Sequence, residues 1–189
     1  MALRDAIDEE ISKDALPTIV QVGVDVLRER AADVAASEIE TEEMRRLVQT
    51  MVAVMRSAPG VGLAAPQIGV GLRLFVIEDR AEYMARANPV DLEERGRVPV
   101  PLKVFFNPVL RLLGDRKASY YEGCLSVEGF VALVERSHEV EIEGLDEHGV
   151  PHAWRVTGWP ARILQHETDH LDGTLYIDRM QTRTFTKVT

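Results

Sequence analysis

GWPARILQHETDHLDG, residues 158–173, predicts a helix whose inner face carries ionisable side chains. Pro160 is well placed for the first turn, because the N–H that proline lacks has no helical partner there. Gly173 is well placed for the C-terminal stop. The inner face of this helix is neither purely apolar nor purely polar, whereas a helix that only packs against a core presents an apolar stripe. The segment is therefore a candidate functional site.

His166 and His170 are four residues apart, so a helix projects both imidazoles from one face at the spacing that a single metal ion requires. Glu167 lies about 100° around the helix from His166, where its carboxyl group can act on a water molecule without being a ligand. This is the HExxH arrangement. The alternative is a pair of surface histidines, but two imidazoles and a carboxylate facing a core are costly unless a cation balances them.

A catalytic metal site of this kind has three protein ligands and one open position. The longer motif HExxHxxGxxH is matched through Gly173 but has Tyr176 where the third histidine should be. A downstream glutamate is disfavoured as a ligand, because the chain after the helix has only Asp178 and no glutamate. The single cysteine, Cys124 in EGCLS, remains as the candidate, and a Cys/His/His set suits Zn²⁺ or Fe²⁺.

A glycine-rich stretch, GVGLAAPQIG at residues 60–69, matches the GxGxxA spacing of dinucleotide-binding folds. That fingerprint lies between a strand and a helix, whereas this stretch follows a predicted helix capped by Thr41 and precedes a predicted strand, LRLFVIE. Pro66 also disfavours a helical conformation at Ala65. A nucleotide site is therefore disfavoured.

The remaining segments predict the fold class. Residues 80–101 are polar and proline-rich, which indicates a surface excursion with helical turns around residues 81–87. Five stretches beyond it predict successive short strands, and DEHG predicts a hairpin turn: KVFFNPVLRLLG, ASYYEGCLSV, FVALVER, HEVEIEGLD and PHAWRVTG. The tail, RMQTRTFTKVT, predicts a solvated end. We expect an α+β fold, with antiparallel β-sheets packed around a central metal-binding helix, in a single catalytic domain over residues 1–189.

Composition and charge exclude several classes of protein. The formal net charge of −9, from 22 basic and 31 acidic residues, argues against a broad nucleic-acid or anionic-membrane surface. No apolar run approaches the roughly 18 residues of a membrane span. The N-terminus, MALRDAIDEEISKDALP, lacks the apolar core of a secretory signal and the acid-poor bias of a transit peptide. We expect a soluble cytoplasmic monomer that binds neither nucleic acid nor membrane.

Three motifs together resemble the peptide deformylase family: GVGLAAPQ from Gly60, EGCLS from Glu122 and QHETDHL from Gln165, in the family's order. The resemblance covers most of the chain from about Leu16 onward. It departs at residues 23–28, GVDVLR, where the family usually has a proline after the aspartate, and this touches the N-terminal fold rather than the site. The resemblance implies a hydrolase that removes the N-formyl group from the formyl-methionine of newly made polypeptides and releases formate.

The resemblance also implies roles for residues in each motif. Glu167 would move a proton from the attacking water to the leaving amine, while the Gln67 amide and the backbone N–H of Leu125 would stabilise the oxyanion. The implied metal ligands are Cys124, His166 and His170. The ion would be Fe²⁺ natively, with Zn²⁺, Ni²⁺ or Co²⁺ also accepted, and the thiolate makes an iron form liable to oxidation.

On the substrate side, the resemblance implies that Gly60 and Gly62 let an extended peptide lie close to the backbone. Val61 and Ile163 are either part of an apolar pocket for the methionine side chain or plain core residues. Asp169 is expected to brace an arginine or a ligand histidine. The implied partners are N-formylmethionyl nascent peptides, with transient contact to the ribosome.

Two rival interpretations remain open at this point. A small HExxH metallopeptidase would cleave internal amide bonds with the same helix, and it predicts activity on unformylated peptides. A structural metal site would need a fourth protein ligand and a closed shell. It would give no reason for Glu167 or Gln67.

Overall fold

The computed structural model describes residues 16–58, 60–85 and 88–188. Residues 1–15 of the N-terminal stretch considered above for targeting signals lie outside the described residues. The helices are α1 (Ala36–Ile39), α2 (Glu42–Ser57), α3 (Ala81–Met84), α4 (Pro89–Arg95), α5 (Trp159–Leu171) and α6 (Tyr176–Arg179). The strands are β1 (Gly62–Ala64), β2 (Leu74–Asp79), β3 (Val100–Cys124), β4 (Val127–Leu145), β5 (Pro151–Thr157) and β6 (Thr186–Lys187). Among the described residues, no helix combines the length and the apolar character of a transmembrane span.

The six strands form one sheet in the order β1-β2-β3-β4-β5, with β6 paired to β4, and every pair is antiparallel. The predicted α+β class is confirmed. The expectation of four short strands between residues 103 and 146 was wrong, because they merge into the long strands β3 and β4. Gly114 adopts φ 63° where the β3–β4 register shifts, so a bulge replaces the predicted turn.

The predicted helix ends and loops largely agree with the structure. Thr41 caps α2 by accepting a hydrogen bond from the Met44 N–H at 3.3 Å. Residues 65–68 form a short 3-10 turn rather than the α-helix that a dinucleotide-binding fingerprint would open. The DEHG turn forms, with the Asp146 carboxylate accepting from the backbone N–H groups of His148 and Val150.

Helix α5 is central, as predicted, because it packs against strands β1 to β5. Its apolar residues, including Leu164, are buried in a core cluster with Phe75 and Phe105 of the sheet. Gly173 follows the helix with φ 71°, and a Cβ there would lie 2.5 Å from the carbonyl oxygen of Arg28. The glycine therefore ends the helix and also lets the N-terminal segment pass close to it.

Two peripheral segments pack on this framework. Within the excursion, helix α4 is held against β3 by a hydrogen bond from the Tyr120 hydroxyl to the Glu94 carbonyl. Residues 185–188 of the tail are exposed, as expected for a solvated end, but they are also attached to the sheet: β6 pairs with β4, and Phe185 stacks on Phe130 with ring centroids 4.9 Å apart. Ladder hydrogen bonds and aromatic stacking together hold this end of the chain against the sheet.

Candidate metal centre

The metal-ligand candidates meet where the β3–β4 hairpin touches α5. Strand β3 ends at Cys124, and the turn residues Leu125 and Ser126 lead into β4. The ligand atoms of Cys124, His166 and His170 lie within 4.8 Å of one another, and Cys124 Sγ lies 3.2 Å from His170 Nε2. The fold therefore brings together the three residues that the sequence analysis selected.

The donor set suits a divalent transition metal. Cys124 Sγ lies 3.4 Å from the Ser126 backbone nitrogen and 3.6 Å from Gln67 Nε2, and both can donate to a thiolate. His166 Nδ1 lies 3.2 Å from a carboxylate oxygen of Glu122, which leaves Nε2 for a metal. The described residues contain no other such group of potential ligands. Three ligands and an open position fit a catalytic site better than a structural one.

Glu167 is buried beside this cluster, with 4% of its surface exposed. Burial raises the pKa of its carboxyl group to about 7. Its Oε2 atom has no hydrogen-bond partner among the described residues. A carboxyl group that can hold or release a proton near neutral pH is suited to general acid–base work.

The two histidines have opposite electrostatic surroundings. Burial drives the pKa of His170 well below its ordinary value. Burial also disfavours a charge on His166, but the Cys124 thiol and the Glu122 carboxylate raise its pKa well above the ordinary value. The thiol and the carboxylate beside His166 thus favour a positive charge at this position.

Glu122 anchors a buried ionic network behind the ligands, and the sequence analysis assigned it no role. Its carboxylate accepts two hydrogen bonds from Arg136, at 3.0 and 2.9 Å, and another from Arg162. Side chains alternate along a strand, so Glu122 lies on the same face as Cys124 two residues later. That alternation was the signal that could have associated this glutamate with the metal site.

Asp169 continues the network from α5. It forms an ion pair with Arg136 and a bidentate pair with Arg179, whose Nε and Nη2 atoms lie 2.7 Å from its oxygens. The expectation that Asp169 braces an arginine is confirmed. Arg136 also binds Glu122, which contacts His166. A chain of ionic contacts therefore links His166 through Glu122 and Arg136 to Asp169, on the same helix α5.

Gln67 lies on the opposite side of the thiol. Its Oε1 accepts a hydrogen bond from the Ala64 N–H at 2.9 Å, which orients the amide group. Its Nε2 then points to Ser126 Oγ at 3.3 Å and to Cys124 Sγ. Ser126 is fully buried, and sequence reasoning gave it no role.

The glycines of the GVGLAAPQ loop lie close against side chains of the same chain. A Cβ on Gly62 would lie 2.3 Å from Oε1 of Glu167, and a Cβ on Gly60 would lie 2.9 Å from Cδ1 of Leu125. The sequence analysis attributed both glycines to the approach of a peptide. The structure provides a different physical reason, because side chains of this chain already occupy the two places.

A cleft of about 810 Å³ opens in front of the cluster. Val61 and Ile163 line this cleft and also pack in or against the core cluster that contains Phe75. Each residue is therefore both part of the pocket wall and part of the core. Every predicted catalytic and substrate-binding residue lines this cleft: Gly60, Val61, Gly62, Gln67, Leu125, Ile163 and Glu167. The cleft is also lined by Gln21, Arg97 and Val188, which the sequence analysis did not select.

Known proteins share much of this sequence. The chain is 50% identical over 179 residues to the chloroplastic peptide deformylase 1A of Solanum lycopersicum, covering 95% of this chain and 65% of that protein. It is 45% identical to the mitochondrial peptide deformylase of Homo sapiens, covering 90% of this chain and 70% of that protein. The chain thus spans just under two thirds of the length of the tomato relative.

Structural similarity agrees with sequence similarity. A class I type b peptide deformylase from Acinetobacter baumannii, solved with Met-Ala-Ser bound, superposes with a TM-score of 0.78 at 30% identity. The match covers 89% of this chain and all of the Acinetobacter chain. The family model for polypeptide deformylase matches residues 16–185. With its three motifs assembled around one cleft and its sequence matched over nearly all of its length, this chain belongs to the polypeptide deformylase family.

Proposed function

We propose that this chain hydrolyses the N-formyl group from formyl-methionine at the start of newly made polypeptides and releases formate. The observation that carries the proposal is the juxtaposition of the Cys124, His166 and His170 ligand atoms with the buried Glu167 carboxyl group, at a cleft that reaches Gln67. The Acinetobacter relative binds Met-Ala-Ser, which is the peptide that remains when formyl-Met-Ala-Ser loses its formyl group.

The three ligands would hold one divalent ion, which we propose to be Fe²⁺ natively, with Zn²⁺, Ni²⁺ and Co²⁺ as possible substitutes. When bound, such an ion supplies Lewis-acid polarisation and lowers the pKa of water. The thiolate and the two imidazoles support this choice, because soft sulfur and nitrogen ligands favour these ions over Mg²⁺ or Ca²⁺.

The protein's own groups carry the proton and stabilise the oxyanion. Glu167 accepts a proton from the attacking water and returns it to the leaving nitrogen, for which a pKa near 7 is suitable. Gln67 Nε2 and the Leu125 N–H donate to the oxygen that becomes negative in the tetrahedral state. Since Gln67 is already oriented by the Ala64 N–H, little rearrangement is required.

The proposal extends to the form in which the enzyme acts. We propose a single catalytic domain over residues 1–189 that acts as a cytoplasmic monomer on peptides near the ribosome. The family match over residues 16–185 and the low cysteine content support this view. The relatives named chloroplastic and mitochondrial indicate that the same reaction also serves organelles.

The proposed function is tested by formate release from formyl-Met-Ala-Ser under anaerobic conditions, with unformylated Met-Ala-Ser-containing peptides as the parallel substrate. We expect formate from the formylated peptide and no cleavage of the unformylated one. Cleavage of internal bonds in the unformylated peptide would support the metallopeptidase interpretation instead, although family membership does not favour it. The absence of turnover with every divalent ion tested would exclude both enzymatic interpretations.

Replacing Gln67 with alanine is expected to lower kcat by about 100-fold, the usual effect of removing one oxyanion donor. The change removes the amide that lies 3.6 Å from Cys124 Sγ, whereas the metal content should remain close to that of the wild type. Steady-state formate release and metal analysis measure both quantities. Gln49→Ala, at an exposed position on α2, is the matched control and should leave kcat unchanged. A Gln67→Ala variant with wild-type kcat would contradict the role of this amide.

Gly62→Ala should also reduce kcat, by about 100-fold, because the new methyl group displaces the Glu167 carboxyl group and a shift of about 1 Å has this cost. The added Cβ would lie 2.3 Å from Oε1 of Glu167. Gly71→Ala is the control, since the nearest atom to its Cβ, on Val26, is 3.9 Å away. Equal kcat values for the two variants would show that Glu167 adjusts without loss of function.

A further inference from the structure

Residues 20–22 join the two loops that carry the proposed oxyanion donors. The N–H of Val20 donates to the carbonyl of Gln67 at 2.9 Å. Two residues later, the N–H of Val22 donates to the carbonyl of Ser126 at 2.8 Å. One short extended segment therefore bridges the GVGLAAPQ loop and the turn at the end of the β3–β4 hairpin.

Gln21, between these two residues, adds a side-chain bridge across that turn. Its Nε2 donates to the Leu125 carbonyl at 2.9 Å, and its Oε1 accepts from the Glu128 N–H at 3.2 Å. Both donor and acceptor of one amide are thus used on the backbone of the turn, 104 and 107 residues away in sequence. A glutamine is suited to this double contact because it carries both a donor and an acceptor.

The Leu125 carbonyl and the Ser126 N–H belong to the same peptide group. Gln21 binds the carbonyl end of this group, while the N–H end lies 3.4 Å from Cys124 Sγ. A peptide group is planar, so holding its oxygen also fixes the direction of its N–H. A hydrogen bond accepted by the carbonyl also strengthens the hydrogen bond that the N–H donates.

Gln21 contributes little to the core. Its side chain is exposed and lines the cleft, so its removal opens no internal cavity. Two hydrogen bonds at an exposed position have only a modest effect on overall stability. Their main consequence is local, because they restrict a turn that has the thiol at one end and the Leu125 N–H in its middle.

We propose that Gln21 is a positioning residue for deformylation. By binding the Leu125 carbonyl it orients the Ser126 N–H toward the thiol, and it restrains the turn that also carries the Leu125 N–H. This inference rests on the proposed function. Gln21 does not contact the reacting atoms, and its effect is expected in kcat rather than in KM. The contact arises from tertiary structure, since residue 21 and the EGCLS motif are far apart in the chain.

The test compares the metal-loaded full chain with Gln21→Ala, Gln21→Glu and the control Gln49→Ala. We expect Gln21→Ala to lower kcat about five- to tenfold, corresponding to one or two hydrogen bonds, with KM and metal content within about twofold of the wild type. Gln21→Glu keeps the acceptor for the Glu128 N–H but sets a carboxylate oxygen against the Leu125 carbonyl, so its loss should be at least as large.

Hydrogen exchange provides a readout that does not depend on activity. Peptides covering residues 124–128 should exchange faster in Gln21→Ala than in the wild type, while peptides from α2 should not change. Unchanged exchange in the turn, or unchanged kcat with an active wild type, would overturn this inference alone. A wild-type protein that releases no formate would overturn the proposed function, and the exchange measurement would still report whether Gln21 holds the turn.

Discussion

Glu167→Gln is expected to lower kcat for formate release by about 10²- to 10⁴-fold, the range for loss of a positioned acid–base group. Glutamine has nearly the same shape but cannot take the proton from water. The buried carboxyl group has an unpartnered Oε2 atom among the described residues, and burial raises its pKa to about 7. The folded protein should therefore tolerate the neutral side chain well.

Three measurements separate the chemistry of Glu167 from its structure. The variant should bind the same amount of metal as the wild type and unfold at the same temperature or slightly higher, while formate release is nearly abolished. Glu40→Gln, at an exposed position after α1, is the matched control and should keep wild-type kcat. A loss of less than tenfold in Glu167→Gln would assign the proton transfer to another group.

Glu122→Gln is expected to destabilise the folded protein by about 3–5 kcal/mol, because it removes the carboxylate partner of the buried Arg162 and one of the two carboxylate partners of Arg136. The Glu122 side chain is 5% exposed and binds both Arg136 and Arg162. It also supports His166 through Nδ1, and loss of such a partner lowers metal affinity by about 10- to 100-fold. Denaturant unfolding and metal titration measure the two effects.

The contribution of Glu122 to stability should depend on pH in a defined direction. Burial opposes the charged form, but His166 and Arg136 hold the pKa of this carboxyl group far below its usual range. A carboxyl group with a depressed folded-state pKa stabilises the fold above its unfolded pKa of about 4.3, and this stabilisation is lost as the pH falls below that value. The wild type and Glu122→Gln should therefore differ most near neutral pH and converge in acid.

Glu139→Gln is the matched control for the buried pair. Glu139 binds Arg155 at 2.7 Å, but the side chains are 30% and 64% exposed. An exposed ion pair contributes about 0–1 kcal/mol. If the two glutamate variants lost the same stability, the buried network behind His166 would not have the structural role inferred from its contacts.

Local periodicity accounts for the part of the site that could be predicted. The spacing of His166 and His170 on one helix face follows from helix geometry alone, and α5 has the expected boundaries with Pro160 in its first turn. Cys124 was reached by elimination, as the single thiol of the chain. The strands were recognised but not their lengths, because a glycine bulge and a turn have similar sequence patterns.

The helix, the residue types of the candidate metal ligands and the family could be predicted from the sequence, since these depend on short spacings and on the residues within each motif. Three contacts became visible only in the folded molecule: the support of His166 by Glu122, the close approach of the Glu167 side chain to Gly62, and the reach of Gln21 to the turn beyond Cys124. Each of those contacts joins segments that are far apart in the chain. Their geometry depends on strand register and helix packing, which no local pattern encodes.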